Sequence, residues 1–239
     1  MIRALVFGLT LLAGPALAVT CADRTFEGLG YTTCTVDPAT DRLELFLYDE
    51  MGNPIGDFAT LEALYSPRTI PFAMNAGMYQ PDQSPVGYFR LNGVDVTSLL
   101  TGPSAGNFGM LPNGVLCVRL GQARVFETLV FAQLSSVCDF ATQSGPMLVI
   151  DGALHPRFLP DSTSRFVRNG VGTTDSGDSA VFAISNQPVT FYEFARFFRD
   201  GLGLPQALYF DGNVSQLHAP GLGRSDQGRA MGPIVAVIE

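Results

Sequence analysis

Short apolar runs that break into polar, glycine-bearing corners recur along this sequence and set its organisation. Thr69–Met74 runs into Asn75-Ala-Gly77-Met-Tyr79. Gln143-Ser144-Gly145-Pro146 precedes Met147–Ile150, which ends in Asp151-Gly152. Ala207–Phe210 ends at Asp211-Gly212-Asn213-Val-Ser215. Runs of this length, bounded by turn residues, predict buried strands that deliver side-chain oxygens to one rim of a sheet. Leu43–Tyr48 alternates as a strand does, and Ala180–Ile184 predicts another, ending in Ser185-Asn186-Gln187. Phe166–Val171 predicts a strand carrying Arg168, and Ile234–Ile238 the last strand. Asn92-Gly93 between Val86–Leu91 and Val94–Leu99 is a hairpin signal, and a second hairpin turns at Gly121.

Helical pattern is scarce. Phe58–Tyr65 predicts one short helix, stopped by Pro67, while residues 127–140 fit a short helix or a strand equally. The strongest helix starts at Thr190, where Thr190-Phe-Tyr-Glu193 is a capping box; Phe191, Phe194, Phe197 and Phe198 share a face and Gly201 suits the C-terminal cap. Thr101–Gly109 is too rich in Gly for regular structure, and no repeat of 20–50 residues is present. The pattern predicts a single α+β domain: a mixed, largely antiparallel sheet of many short strands with few helices, its strand-end corners forming one polar pocket.

The first 18 residues change where this domain is expected to work. Met1-Ile-Arg3, a short apolar run and Ala16-Leu-Ala18 describe a secretory signal peptide, leaving residues 19–239 as the mature domain. Cys21 lies near the cleavage point, but Thr20 precedes it where a lipobox needs Gly or Ala. The expectation is a protein exported to the periplasm or fully secreted, without stable membrane insertion. Four cysteines in an oxidising compartment predict two disulfides, Cys21–Cys34 and Cys117–Cys138, each closing a short loop. All 14 basic residues are Arg against 22 acidic ones, a net charge of −8, which excludes nucleic acid held by general electrostatics. An anion must instead be caught by a few placed Arg and backbone N–H groups. The absence of Lys excludes a Schiff-base lysine and a P-loop. No signal for oligomeric state is present.

Candidate chemistry narrows by elimination. Only His155 and His218 are available as bases, and no Gly-x-Ser-x-Gly elbow exists, which argues against serine nucleophiles; His218 before Ala-Pro reads as a surface-loop residue. Isolated His and paired Cys do not make a zinc site. Asp211-x-Asn213-x-Ser215 resembles the start of a calcium loop, but Gln216 and Leu222 stand where that loop needs Gly and Glu. No metal or other cofactor is expected. What remains is carboxylate, amide and Arg chemistry at three corners (75–79, 143–145 and 211–215) plus Arg168, suited to an anionic substrate. Structural roles compete throughout: Asp211-Gly212 as a hairpin turn, Arg168 as partner to a sheet carboxylate, Glu193 as a cap.

At these corners the chain resembles the phosphodiester glycosidase family, which contains the mannose-6-phosphate uncovering enzyme. The resemblance rests on Asn75–Tyr79, Gln143–Leu148, Arg168-Asn-Gly-Val-Gly172, Thr190–Ala195 and Ala207–Ser215, in the family's order over roughly residues 70 to 238. Two departures stand out. The family commonly shows Leu-Asp-Gly-Gly-Gly-Ser where this chain has Phe-Asp211-Gly-Asn213-Val-Ser215, and Arg-Thr-Ala-x-Gly at 168–172. Asn213 thus replaces a Gly and is expected to narrow the pocket or read a different group. The resemblance implies hydrolysis of a sugar-1-phosphodiester between the anomeric carbon and the phosphate oxygen. It implies Asp211 as nucleophile or base and Arg168 as the group holding the departing phosphate. Asn75, Tyr79, Gln143, Ser144, Gly145, Asn186, Glu193, Gly212, Asn213 and Ser215 are the expected substrate-binding residues. The competing readings are an envelope domain of the same fold that binds a glycan or phosphoglycan without cleaving it, and a metal-dependent phosphodiesterase.

Overall fold

The computed structural model describes residues 19–134 and 138–239, so the expected signal peptide lies outside the described residues. The first strands are β1 (Thr20–Phe26), β2 (Leu29–Val36), β3 (Leu43–Phe46), β4 (Phe72–Asn75), β5 (Phe89–Leu91) and β6 (Val94–Thr97). They continue as β7 (Gly114–Arg119), β8 (Gln122–Glu127), β9 (Phe140–Ser144), β10 (Met147–Ile150), β11 (Ala153–Leu154) and β12 (Asn169–Thr173). The last are β13 (Ala180–Ser185), β14 (Gln206–Asp211), β15 (Leu217–Ala219), β16 (Arg224–Ser225) and β17 (Ile234–Val237). The α-helices are α1 (Phe58–Tyr65), α2 (Thr128–Gln133) and α3 (Phe191–Arg196).

The strands form three sheets, ordered β1-β2-β13-β12-β14-β10-β11, β16-β15-β4-β17-β3 and β6-β5-β9-β7-β8. Every ladder between these strands is antiparallel. The expected largely antiparallel domain with few helices is therefore present, divided among three sheets. Short β-rich runs punctuated by Gly, Asn and Asp give this result because each turn residue stops a strand before it can lengthen.

Strand β14 carries the core on both faces. Leu208 and Phe210 pack with Phe72, Leu116, Phe182 and Val235. Ala207 and Tyr209, pointing the other way, meet Phe194, Phe197 and Phe198. Each buried Phe contributes about 2–3 kcal/mol. Both halves of the Thr190–Glu193 capping box form at the start of α3, which runs into a π-helical turn at Phe197–Gly201. The helix thus braces β14 from behind.

Three local expectations shift. The predicted strand Phe166–Val171 joins its ladder only at Asn169, because Phe166 makes an isolated bridge to Val189 and Arg168 turns inward. Of residues 127–140, Thr128–Gln133 form α2, capped by the Glu127 carboxylate on the Val130 N–H (2.9 Å), and Phe140 opens β9. His218 is not a surface residue. It sits in β15 between β16 and β4, buried, with Nε2 3.1 Å from the Ile70 carbonyl oxygen and Nδ1 2.9 Å from Ser225 Oγ. Both expected disulfides form: Cys21–Cys34 joins directly opposed residues of β1 and β2, and Cys117–Cys138 ties β7 to the chain before β9.

Candidate active site

Two Asp-Gly dipeptides end apolar strands, and they meet opposite fates. Asp151 (φ 49°) and Gly152 (φ 77°) both adopt left-handed backbone and make the hairpin turn between β10 and β11. Neither Asp211 nor Gly212 takes a positive φ. Asp211 instead closes β14, and the chain leaves it through an open loop to β15.

A register slip aims this residue. Asn169 faces Asp211 while Gly170 faces Tyr209, leaving Phe210 as the extra residue of a bulge. The slip requires glycine at 170, since a Cβ there would stand 2.4 Å from the Leu208 carbonyl oxygen. Behind the bulge, Asn75 and Asn169 exchange side-chain amide bonds at 3.2 and 3.0 Å. The Asn169 carboxamide oxygen also accepts the Asp211 N–H (3.2 Å) and the Ser215 hydroxyl (3.3 Å). Asn75 Oδ1 accepts the Gln216 N–H (2.9 Å). Two buried amides therefore clasp β4, β12 and the 211–216 loop together, and full satisfaction makes such a network rigid.

In front of Asp211 opens a cavity of about 870 Å³. It is lined by Tyr209, Asp211–Val214, Met78–Pro81, Val86, Ser104–Phe108, Phe166, Arg229 and Ala230. Among the described residues, Asp211 is the one acid in that lining and Arg229 the one base. The Asp211 carboxylate accepts N–H groups from Gly212 (2.6 Å) and Asn213 (2.9 Å). Burial raises its pKa, outweighing the lowering by backbone N–H groups of Asn213, Gly212 and Val214. Arg229 is exposed and pairs with no described carboxylate; its carbonyl oxygen accepts a bond from Gln216 Nε2 (2.8 Å). Tyr79 lies within the field of both groups: burial first and Asp211 second raise its pKa, and Arg229 lowers it. Its hydroxyl donates to the Ala230 carbonyl (2.6 Å).

Tyr209 limits the loop sterically. A Cβ at Gly212 would stand 2.1 Å from the Tyr209 hydroxyl oxygen. Gly212→Ala is therefore expected to lower stability by about 1–3 kcal/mol. That loss should shrink in a Tyr209→Phe background, as a double-mutant cycle of thermal melts would show. An unchanged cost without the hydroxyl would mean that something else forbids the side chain.

The cavity gathers only some of the expected residues. Tyr79, Asp211, Gly212 and Asn213 line it, and the Asn213 side chain is exposed to it. Asn75 and Ser215 stand behind it, the Ser215 hydroxyl donating to the Val167 carbonyl at 3.1 Å. Gln143 is consumed by Tyr88, Leu100 and Thr128, and Ser144 donates to the Phe210 carbonyl (2.9 Å). Gly145 packs where a Cβ would meet Asn113 at 2.6 Å, under the loop that supplies Phe108. Asn186 shares Arg224 with Thr32, and Glu193 caps α3 while binding Arg165 through both oxygens (3.0 and 2.7 Å). Neither lines the cavity.

Arg168, expected at the phosphate, lies behind Tyr209 and is only 1% exposed. It donates to the Val189 carbonyl (2.8 Å), the Ser164 carbonyl (3.1 Å) and the Tyr209 hydroxyl (3.3 Å), and lies 3.7 Å from the Phe191 ring centroid. Burial lowers its pKa. Arg168→Ala is expected to cost about 3 kcal/mol or more of stability, because it leaves a void and strips two carbonyls of their donor. A denaturation midpoint equal to the wild type would overturn that structural role.

The sequence reading missed Arg229, Phe166, Tyr209 and Asn169. For Arg229 a signal existed. In an antiparallel sheet the start of one strand lies beside the end of its neighbour, and Ile234 of β17 pairs with Asn75 of β4. The polar stretch before an apolar strand therefore reaches the same rim as the corners after one. The described residues contain no cluster of three or more His, Cys, Asp or Glu arranged to hold a metal ion. The Ser215 hydroxyl also turns inward, away from a shared ligand set with Asp211 and Asn213.

Comparison with known proteins adds the family. A solved catalytic domain of zebrafish N-acetylglucosamine-1-phosphodiester alpha-N-acetylglucosaminidase, auto-inhibited by its pro-peptide, superposes with a TM-score of 0.61 at 14% identity, covering 93% of this chain and 82% of that one. A hypothetical protein from Synechocystis gives a TM-score of 0.56 at 13% identity, over 94% of this chain and 64% of that one. These likenesses show the fold. The uncharacterized Escherichia coli K12 protein YigE is 33% identical over 223 residues, 92% of this chain and 86% of the other. A family profile described as phosphodiester glycosidase matches residues 68–233. The chain belongs to the phosphodiester glycosidase family.

Proposed function

We propose that this protein is an exported hydrolase that cleaves a sugar-1-phosphodiester at the glycosidic C–O bond, acting on an envelope or extracellular glycan. One observation carries the reading: among the described residues, a single buried carboxylate, Asp211, shares a cavity with a single guanidinium, Arg229, that pairs with no described carboxylate. Glycoside hydrolysis ordinarily uses two carboxyl groups, one of which protonates the leaving oxygen. A phosphate monoester leaves without that proton, so one carboxylate suffices. Asp211 stabilises the oxocarbenium-like centre, either by bonding to the anomeric carbon, an ester that water then cleaves to release the sugar and free the carboxylate, or by taking a proton from the attacking water. The electron pair of the broken C–O bond passes to the phosphate oxygen, where Arg229 meets the growing charge. Retained or inverted anomeric configuration in the product distinguishes the two roles of Asp211. The two disulfides support an oxidising, extracytoplasmic setting.

The test is hydrolysis of a panel of N-acetylglucosamine and other sugar 1-phosphodiesters by residues 19–239 in oxygen-18 water, with and without EDTA. Label in the sugar, at a rate unaffected by EDTA, is the expected result. Label in the phosphate would mean P–O cleavage and overturn the mechanism. Binding without turnover across the panel would favour the non-catalytic glycan-binding reading, to which the exposed Asn213 in place of Gly lends support.

A further inference from the structure

Phe166 is the most exposed aromatic side chain among the described residues. It is 51% exposed, and of the exposed large apolar residues among those described it is the one that lines the cavity. Covering a Phe side chain is favourable by about 2–3 kcal/mol, so an open ring on the cavity wall offers that gain to a ligand that covers it. The residue is also held still. Its N–H donates to the Val189 carbonyl (3.1 Å) and its carbonyl accepts the Val189 N–H (2.8 Å). Its Cβ lies 3.5 Å from where a Gly212 Cβ would be, placing it beside the Asp211 loop, and Arg168 stands 5.4 Å from its ring centroid.

Resting on the function proposed above, we infer that Phe166 is the sugar platform of the site, so that the substrate is a pyranoside. A pyranose ring presents a face of C–H bonds that are positively polarised, and an aromatic face is negative; the two stack without a hydrogen bond. The ring on Phe166 sets the anomeric carbon over Asp211 and sends the phosphate to the end of the cavity held by Arg229 and Tyr79. Asn213, on the loop between, meets the ring hydroxyls. Phe166 is a positioning residue: it holds the ring and takes no part in bond breaking.

The experiment compares Phe166→Ala and Phe166→Tyr with wild type, in binding and in turnover. The binding arm titrates α-glucose 1-phosphate and, as a sugar-free control, methyl phosphate, followed by proton NMR. In wild type the ring protons of the sugar should move upfield in the ring current. Phe166→Ala should abolish that shift and weaken the sugar phosphate at least about tenfold while leaving methyl phosphate unchanged; Phe166→Tyr should restore both. Equal weakening of the two ligands, or of neither, would overturn the platform. In the turnover arm, Phe166→Ala should raise KM for pyranosyl phosphodiesters about tenfold or more with kcat little changed. A wild type that binds with ring-current shifts but hydrolyses nothing would sink the proposed reaction and leave the platform standing. Turnover with an unaltered KM in Phe166→Ala would do the reverse.

Discussion

Asp211→Asn is expected to lower the rate of sugar-1-phosphodiester hydrolysis by at least about 10³-fold, without loss of fold. The carboxamide oxygen of Asn can still accept the Gly212 and Asn213 N–H groups that fix the side chain. What disappears is the charge. Because burial raises the Asp211 pKa, the folded state holds its proton to higher pH than the unfolded chain does. The ionised residue therefore costs stability once the pH exceeds its raised folded value. That cost fades as the pH falls towards the unfolded value and is absent below it. The Asn variant should melt at or above the wild-type temperature at neutral pH, and the two should converge on acidification. The same shift should place the acid limb of the wild-type kcat/KM profile above the ordinary aspartate range. Melts and kinetics across pH check both statements; a variant much less stable at neutral pH would mean that Asp211 serves the turn and not the reaction.

Arg229→Ala should depress kcat/KM for sugar phosphodiesters by about 10²–10³-fold, the scale of a lost charge-stabilising donor. For a 4-nitrophenyl glycoside of the same sugar, whose leaving group carries no phosphate, the change should stay within about threefold. Stability should hold, since the guanidinium is exposed and pairs with no described carboxylate. An equal fall on both substrates would show that Arg229 shapes the cavity and does not meet the phosphate. Parallel assay of the two substrates decides it.

The fold was more legible than the site, for a physical reason visible at particular residues. Apolar runs and turn dipeptides act locally, so β10, β13, β14 and the α3 capping box could be read from neighbours in sequence. The fate of a polar corner depends on partners far along the chain. Asp151-Gly152 became a hairpin because a strand followed immediately to pair with β10. Asp211-Gly212 did not, because Asn169, 42 residues away, takes the Asp211 N–H and the bulge leaves Asp211 lining the cavity. Arg168 and Arg229 make the same point. Both are isolated arginines in glycine-containing stretches, and only the positions of Phe191, Val189 and Tyr209 send one into the core while the other stays in the cavity.

The placement of the two disulfides separates durability from chemistry. Cys21–Cys34 staples an outer strand of its sheet to the next one, and Cys117–Cys138 staples β7 to the approach of β9. No half-cystine lines the cavity, and the clasp beneath Asp211 is made of hydrogen bonds. A reducing environment would thus shorten the life of each molecule, by loosening its margins to proteases, before it altered what a surviving molecule does. Turnover per folded molecule should match with the bridges open or closed, while proteolytic half-life should not. The redox poise of the compartment then sets how long the protein persists there, and the pH sets how fast it works.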